Sequence, residues 1–324
     1  MKHTFRRICV GTVTRNRPIM LEALLDSYAK MAIPAGTQLE FVIIENNETA
    51  TLHDIVERFR AKIPDSIVQY DVEPRLGISF VRNRVLENAI SSGCDLLTFA
   101  DDDEVVTQDW LIQLLAERDA SDLDIVGGPV RPAPAENVSP WGRMIWNSIN
   151  KAMHARELAS CTTRAKGCAG KLRIATNNWL GKLDFFRSTG VRFDETLGLN
   201  GGEDWRLYAD AKKIGAKTGW APLAIVHETI PIERLRLAYQ FRRSRDHCAV
   251  EIRSRLASKP IYTICRLPGS ILARLFKLII QLAHLPFTPI QSLITMVAYL
   301  GSVVGMLQAF TPHHSPHYQK TTGH

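Results

Sequence analysis

Along the first 130 residues, short apolar runs alternate with stretches whose apolar positions recur every three to four residues, the pattern of strands alternating with amphipathic helices. Residues 7–13 form a β-rich run. Pro18 suits a first helical position, and Leu21, Leu24, Leu25 and Tyr28 follow at helical spacing. Residues 39–45 predict a second strand, and Leu52, Ile55, Val56 and Phe59 a second helix. Residues 67–72 predict a third strand, and Val81, Val85, Leu86 and Ala89 a third helix closed by Gly93. A fourth strand, residues 95–100, runs directly into Asp101, Asp102, Asp103 and Glu104. Joints this short suit a doubly wound sheet. In such sheets the ligand crevice lies beyond the carboxyl ends of the strands, so the acidic run is expected where substrates bind.

After residues 125–130 the pattern breaks into a joint with Pro129, Pro132, Pro134 and Pro140, then a stretch with Trp141 and Trp146 that reads as irregular. Periodicity returns at residues 180–189 and 205–214, and a strand-like run, 222–226, leads to His227. From Pro231 onward Arg234, Arg236, Arg242, Arg243 and Arg245 crowd a predicted helix. The far end differs in kind. Residues 278–319 are 42 positions without Asp, Glu, Lys or Arg. Within them, residues 290–310 come close to the ~20 apolar positions a spanning helix needs, and Gly301 and Gly305 match the small-xxx-small pattern of closely approaching helices. Just upstream, Arg274, Lys277, Gln281 and His284 recur at helical spacing among Leu272, Leu275, Phe276, Ile279 and Leu282. That pattern predicts a helix lying in a membrane interface with its cationic stripe toward headgroups. A buried helical pair in a soluble domain is the competing reading.

The 324 residues, 45% apolar and 23% charged, allow one large domain or two modest ones and exclude a disordered or disulfide-scaffold chain. The net charge of +7 does not point to nucleic acid, because it is confined to one end. Residues 1–230 hold 28 Lys and Arg against 30 Asp and Glu, whereas residues 231–324 hold 12 against 3. The six cysteines show no metal-binding spacing and read as reduced cytosolic thiols, with a Cys161–Cys168 pairing as the alternative. The apolar run after the basic N-terminus is too short for a secretory signal, so the enzyme-like part is expected in the cytosol.

Four consecutive acids at a strand end repel one another unless something neutralises them. A divalent cation such as Mg²⁺ or Mn²⁺, held by one or two carboxylates plus substrate phosphates, would do so; the alternative is an acidic helix N-terminus. The cluster has company. Thr14, Arg15, Asn16, Arg17 and Pro18 follow strand one, Glu45, Asn46 and Asn47 follow strand two, Gly77 precedes Arg82 and Asn83 on the third helix, and Asn200, Gly201, Gly202, Glu203 and Asp204 come later. In that order, over about residues 7–245, the series resembles the inverting family 2 glycosyltransferases of the GT-A fold, most of all bacterial exopolysaccharide enzymes of the succinoglycan-glucosyltransferase kind.

The resemblance implies an α/β fold, a GT-A doubly wound nucleotide-sugar-binding sheet with a C-terminal helical, membrane-associating extension. Residues 1–230 would be the catalytic domain (1–130 the nucleotide-sugar half, 131–230 the acceptor half), 231–310 the basic and hydrophobic helical region, and 311–324 a flexible tail. It implies that Thr14 and Arg17 border the nucleotide, that Glu45, where the family usually has Asp, meets the uracil or ribose, and that Arg82 lies near the diphosphate. Arg75 stands where the family usually has Asn. Asp101 and Asp103 would be the D-x-D pair, with Asp103 the direct ligand of Mn²⁺ or Mg²⁺, Asp101 nearer the ribose and Asp102 among the donor-binding acids. His227 would be a third metal ligand. Asp204 would be the general base, also able to cap the helix it opens; Glu203 would contact the acceptor or orient the site, and Gly201 and Gly202 would let backbone approach the sugar. Trp179 either stacks on an acceptor sugar or fills the core. Gln240, Arg242 and Arg243 lack the Trp that completes the processive synthases' motif, because Ser244 follows, which favours single addition. Arg242, Arg243 and Arg245 are candidates for holding a diphosphate.

The expected activity is therefore transfer of one hexose, glucose from UDP-glucose, to a polyprenyl-diphosphate-linked saccharide, with no nucleic-acid partner. The expected place is the cytoplasmic face of a bacterial inner membrane, held peripherally or by one span. Two rivals are a catalytically silent sugar-binding subunit, which would not need Asp103 and Asp204 together, and a nucleotidyltransferase, whose Gly-rich first loop is not visible in residues 11–18.

Overall fold

A computed structural model describes residues 5–198 and 202–311. The described residues fold as two compact units, one drawn from residues 5–133 and 152–229, the other from 134–151 and 230–311.

The first unit is built on strands β1 (Arg6–Thr14), β2 (Thr37–Glu45), β3 (Ile67–Val72), β4 (Leu96–Ala100), β6 (Ile125–Gly127), β8 (Asn178–Lys182) and β9 (Thr218–Trp220), which form one sheet in the order β3-β2-β1-β4-β8-β6-β9. The first four are parallel; β8 enters antiparallel between β4 and β6. Helices α1 (Pro18–Lys30), α2 (His53–Lys62) and α4 (Trp110–Ser121) cover one face, burying Leu21, Phe59, Trp110 and Leu114. Helices α3 (Ile78–Ser91), α6 (Leu183–Thr189) and α7 (Glu203–Lys213) cover the other, burying Val85, Phe186 and Leu207. A sheet apolar on both faces must be covered on both, which accounts for the near-continuous apolar runs of β1, β2 and β4. A second sheet, β5 (Glu104–Val106), β10 (Val226–Glu228) and β7 (Val130–Pro132), is ordered β5-β10-β7 and lies immediately past the end of β4 in the chain. Gly11 on β1 lets α3 approach, since a Cβ there would press on Val85 and Phe99.

Two expectations change here. The stretch after Pro140 is a 26-residue helix, α5 (Pro140–Ala165), in which only Gly142 and Ile145 are buried, so it carries no sustained apolar stripe that could have announced it. The run 180–189 divides into β8 and α6. Cys161 and Cys168 are free thiols.

The second unit contains α8 (Leu237–Ser258), α9 (Pro260–His284) and α10 (Pro289–Gln308). Among the described residues α10 alone is long and apolar enough to cross a membrane. Gly301 and Gly305 do bring two helices together, and the partner lies within the chain: a Cβ at Gly301 would collide with the carbonyl of Phe241, and one at Gly305 with that of Arg245. The cationic stripe expected to face outward from α9 turns partly inward, with the Arg274 Nε donating to Ser302 Oγ of α10 at 2.9 Å and the Lys277 ammonium 5.9 Å from the Tyr299 ring.

Candidate active site

The acids after β4 are drawn into an ion-pair network rather than left to repel one another. Thr14, at the end of β1, donates its hydroxyl to Asp102 at 2.8 Å, and Arg17 Nη1 reaches Asp102 at 2.6 Å and Asp103 at 3.3 Å. Asp102 is buried, and that burial raises its carboxyl to about 6 although Arg17 opposes the shift. Glu104, 1% exposed, accepts from the Asp101 amide at 2.8 Å and from Asn177 at 2.8 Å. Burial, with the charges of Asp101 and Asp103, pushes its carboxyl well above the usual range. The repulsion argument for a cation is therefore weakened: two guanidiniums already relieve it.

The second guanidinium belongs to Arg82. Only 3% exposed, it donates from Nη2 to Asp101 at 2.7 Å and from Nη1 to Glu203 at 2.6 Å, and its carbon lies 5.8 Å from the Phe193 ring centroid. Burial raises the Glu203 carboxyl while Arg82 pulls it back. One buried fork thus ties the acid at the end of β4 to the first residue of α7. Expected near a diphosphate, Arg82 has both arms on protein carboxylates, and Glu203, expected at the acceptor, is buried and held by Arg82. Both residues organise the site from within. Asp204 follows Glu203 and stays half-exposed, its carboxylate accepting from the Trp205 amide at 2.6 Å. Gly202, at φ +86°, takes a left-handed conformation that suits glycine. Asn200 and Gly201 lie outside the described residues.

Glu45 also departs from expectation. Wholly buried, it accepts from Asn47 at 2.6 Å, from the Thr51 amide at 2.9 Å, from the Thr51 hydroxyl at 2.5 Å and from the Tyr70 hydroxyl. Burial alone would raise its carboxyl, but these donors outweigh burial and hold it below the usual range, while Tyr70 is pushed up to about 12 by burial and by Glu45. Its longer side chain folds back on residues 46–51 and orders that loop instead of reaching a base.

For Trp179, expected either at an acceptor sugar or in the core, the core reading holds. At 1% exposure it stacks on Phe99 (5.9 Å between centroids, 12° between planes) and meets Phe186 edge-on, leaving no face for a sugar. β8 must alternate its side chains across a sheet covered on both sides, which sends Trp179 into the core. Its neighbour Asn178 bonds Trp110 Nε1 at 2.8 Å and the carbonyls of Pro129 and Ala224.

His227 lies on β10 between Val105 and Arg131, half-buried. Burial and the Arg131 charge lower its pKa and favour the neutral, ligating form. Two residues on, the Thr229 amide donates to the Asp103 carbonyl at 2.7 Å, which brings β10 beside the acids. Among the described residues no three His, Cys, Asp or Glu side chains converge into a ready-made metal cage. The donor chemistry nevertheless fits a hard cation that takes one or two carboxylates, here Asp101 and Asp103, and completes its shell with phosphate oxygens.

Three asparagines that sequence reasoning passed over hold the surrounding loops. Asn46 donates to the carbonyls of Glu73 and Arg75 and accepts from the Gly77 amide, Asn83 clips Phe193 through both its amide atoms, and Asn178 acts as above. Asn46 and Asn83 lay inside quoted motifs, but side-chain to backbone pairing across more than 25 residues leaves no periodic signal.

Comparison with known proteins fits this geometry. The profile described as Glycosyl transferase family 2 matches residues 9–180, more than half the chain. The chain belongs to that family. This glycosyltransferase is also 32% identical over 245 residues to the succinoglycan biosynthesis protein ExoM of Rhizobium meliloti (strain 1021), covering 74% of each chain. Its fold is that of the mannosyltransferase PcManGT from Pyrobaculum calidifontis, solved with GDP-Man and Mn²⁺ (TM-score 0.62, 17% identity, 96% of this chain and 89% of that one). It is also that of residues 1–349 of S. aureus TarS, solved with UDP (TM-score 0.51, 14% identity, 92% and 90%). Against a longer TarS chain the match spans 39% of that chain's length. The GT-A arrangement expected from the motif order is the one observed.

Proposed function

We propose that this glycosyltransferase moves a single hexose, glucose from UDP-glucose, onto a polyprenyl-diphosphate-linked saccharide in exopolysaccharide or cell-surface synthesis, working at the cytoplasmic face of a bacterial inner membrane. The observation that carries the chemistry is the Arg82 fork, which couples the Asp101 carboxylate to the start of α7, where Asp204 stands. A divalent cation held by Asp103 and Asp101, with His227 as a third candidate ligand, would supply Lewis-acid neutralisation of the departing diphosphate. Asp204 takes the proton of the acceptor hydroxyl as that oxygen attacks the anomeric carbon from the face opposite the leaving group, which inverts the configuration. Arg17 and Thr14 hold the acids from the β1 side, and Arg82 with Glu203 keeps α7 in register with them.

The similarity to the succinoglycan protein supports the exopolysaccharide assignment, and the uncharged run with its basic flank supports a membrane partner. A donor screen with inner-membrane extract as acceptor source, read by product mass, tests the reading. One added hexose from UDP-glucose, abolished by EDTA and restored by Mn²⁺ or Mg²⁺, is expected; full activity in EDTA removes the cation, and transfer from another donor alone removes glucose.

A further inference from the structure

We propose that the helical unit is an interfacial anchor that lays the outer face of α9 into one leaflet of an anionic bilayer, with α10 as an internal brace instead of a span. The inference rests on the membrane reading above and specifies its geometry.

α9 leaves its broadest apolar face unpacked. Its sheltered side packs Leu267 and Ile271 on Cys248, Ile252 and Met306 and mixes in polar groups: Thr263 is buried and donates to the carbonyls of Lys259 and Arg255, and Arg274 is bonded to Ser302. Its other side is apolar and open, with Leu272 65% exposed, Phe276 63% and Ile279 63%, and Ile261, Leu282 and, just past the helix, Phe287 continue the exposure. The 25 residues of α9 extend about 37 Å, and no acid falls on them. A face this long, apolar and uncharged matches acyl chains at the headgroup boundary. Arg266 and Lys277 flank it on one side, and residues 231–277 together hold 11 Lys and Arg against 3 Asp and Glu, a complement to anionic headgroups.

α10 is tied to a helix that cannot follow it through a bilayer. Its glycines seat against the backbone of Phe241 and Arg245 on α8, and Arg253 of α8 donates to the carbonyls of Gln308 at 3.1 Å and Thr311 at 3.0 Å at the α10 C-terminus. α8 also carries Arg242, Arg243, Asp246 and Glu251. A spanning α10 would either draw those charges into hydrocarbon or abandon its packing.

Two measurements on the full chain test the proposal. In flotation with vesicles of phosphatidylcholine and phosphatidylglycerol, the unmodified chain should float, while L272E/F276E/I279E should lose at least about tenfold in partitioning with its circular dichroism and UDP-sugar turnover retained. In inside-out inner-membrane vesicles, protease added outside should remove a C-terminal epitope along with the catalytic domain, because both lie on one side. This second result does not depend on the variant folding. Undiminished flotation of the variant or a protected epitope overturns the anchor while leaving membrane association standing. A detergent-free dimer dissolved by the same substitutions would make a second copy the occupant and overturn it too. A chain that floats with no vesicle at all removes the membrane reading and the anchor together, and glycosyl transfer in solution would be unaffected.

Discussion

Arg82 separates positioning from donor binding more sharply than any other side chain in the site. Arg82→Met strands two carboxylates, one of them nearly fully buried, and breaking a buried pair from one side costs about 3–5 kcal/mol. Arg82→Lys keeps a charge but offers a compact ammonium where two carboxylates were bridged by a planar fork at 2.6 and 2.7 Å. It therefore forfeits about one charge-assisted bond, ~2 kcal/mol. If that bond sets the register of α7, turnover should fall about 30-fold, each decade corresponding to about 1.4 kcal/mol, with the donor KM nearly unchanged. Urea unfolding measures the stability loss and continuous UDP release measures kcat and KM. Adding Glu203→Gln to Arg82→Met should recover about 1–2 kcal/mol by removing a stranded charge, a coupling expected only of residues in contact. A large rise in donor KM with kcat intact would return Arg82 to the diphosphate and refute the reasoning. So would additive effects of the Arg82 and Glu203 substitutions.

Other consequences follow from the same geometry. Asp204→Asn keeps the shape but not the proton acceptor, so kcat should drop by about 10²-fold or more with UDP-sugar affinity in calorimetry little changed; normal turnover would move the base elsewhere. Trp179→Ala should destabilise the fold by about 3–5 kcal/mol, and Trp179→Phe should leave the acceptor KM unchanged; a selective rise in that KM would restore the stacking role. Because the folded state holds the Glu45 carboxyl below its unfolded value, its contribution is present above about pH 4.3 and is lost as pH falls through the lower folded value. The stability gap between the unmodified chain and Glu45→Gln should therefore close on acidification, and a gap constant from pH 7 to 3 would count against the network.

What was legible in the sequence depended on periodicity and on motif order. β1, β2 and β4 carry near-continuous apolar runs because both faces of their sheet are covered, and α1 to α3 carry a 3.6-residue period, so their places were readable within a few residues. α5 was not, because an exposed helix with two buried positions has no apolar period to read. The acids, Arg82 and the Glu203-Asp204 pair were found as residues, yet their partners were not. Nothing in the spacing of residues 82 and 203 says that one guanidinium bridges them. Glu45 was placed by analogy with a family pattern, and local sterics overruled it, since one extra methylene turned the carboxylate into its own loop; Trp179 was open between acceptor and core, and strand alternation sent the indole into the core.

The stereochemistry of transfer tests the central claim most directly. A product made from a UDP-α-hexose, analysed by the anomeric proton coupling in its NMR spectrum, should carry a β-linkage, because base assistance by Asp204 in a single displacement inverts the centre. An α-linked product would contradict the account.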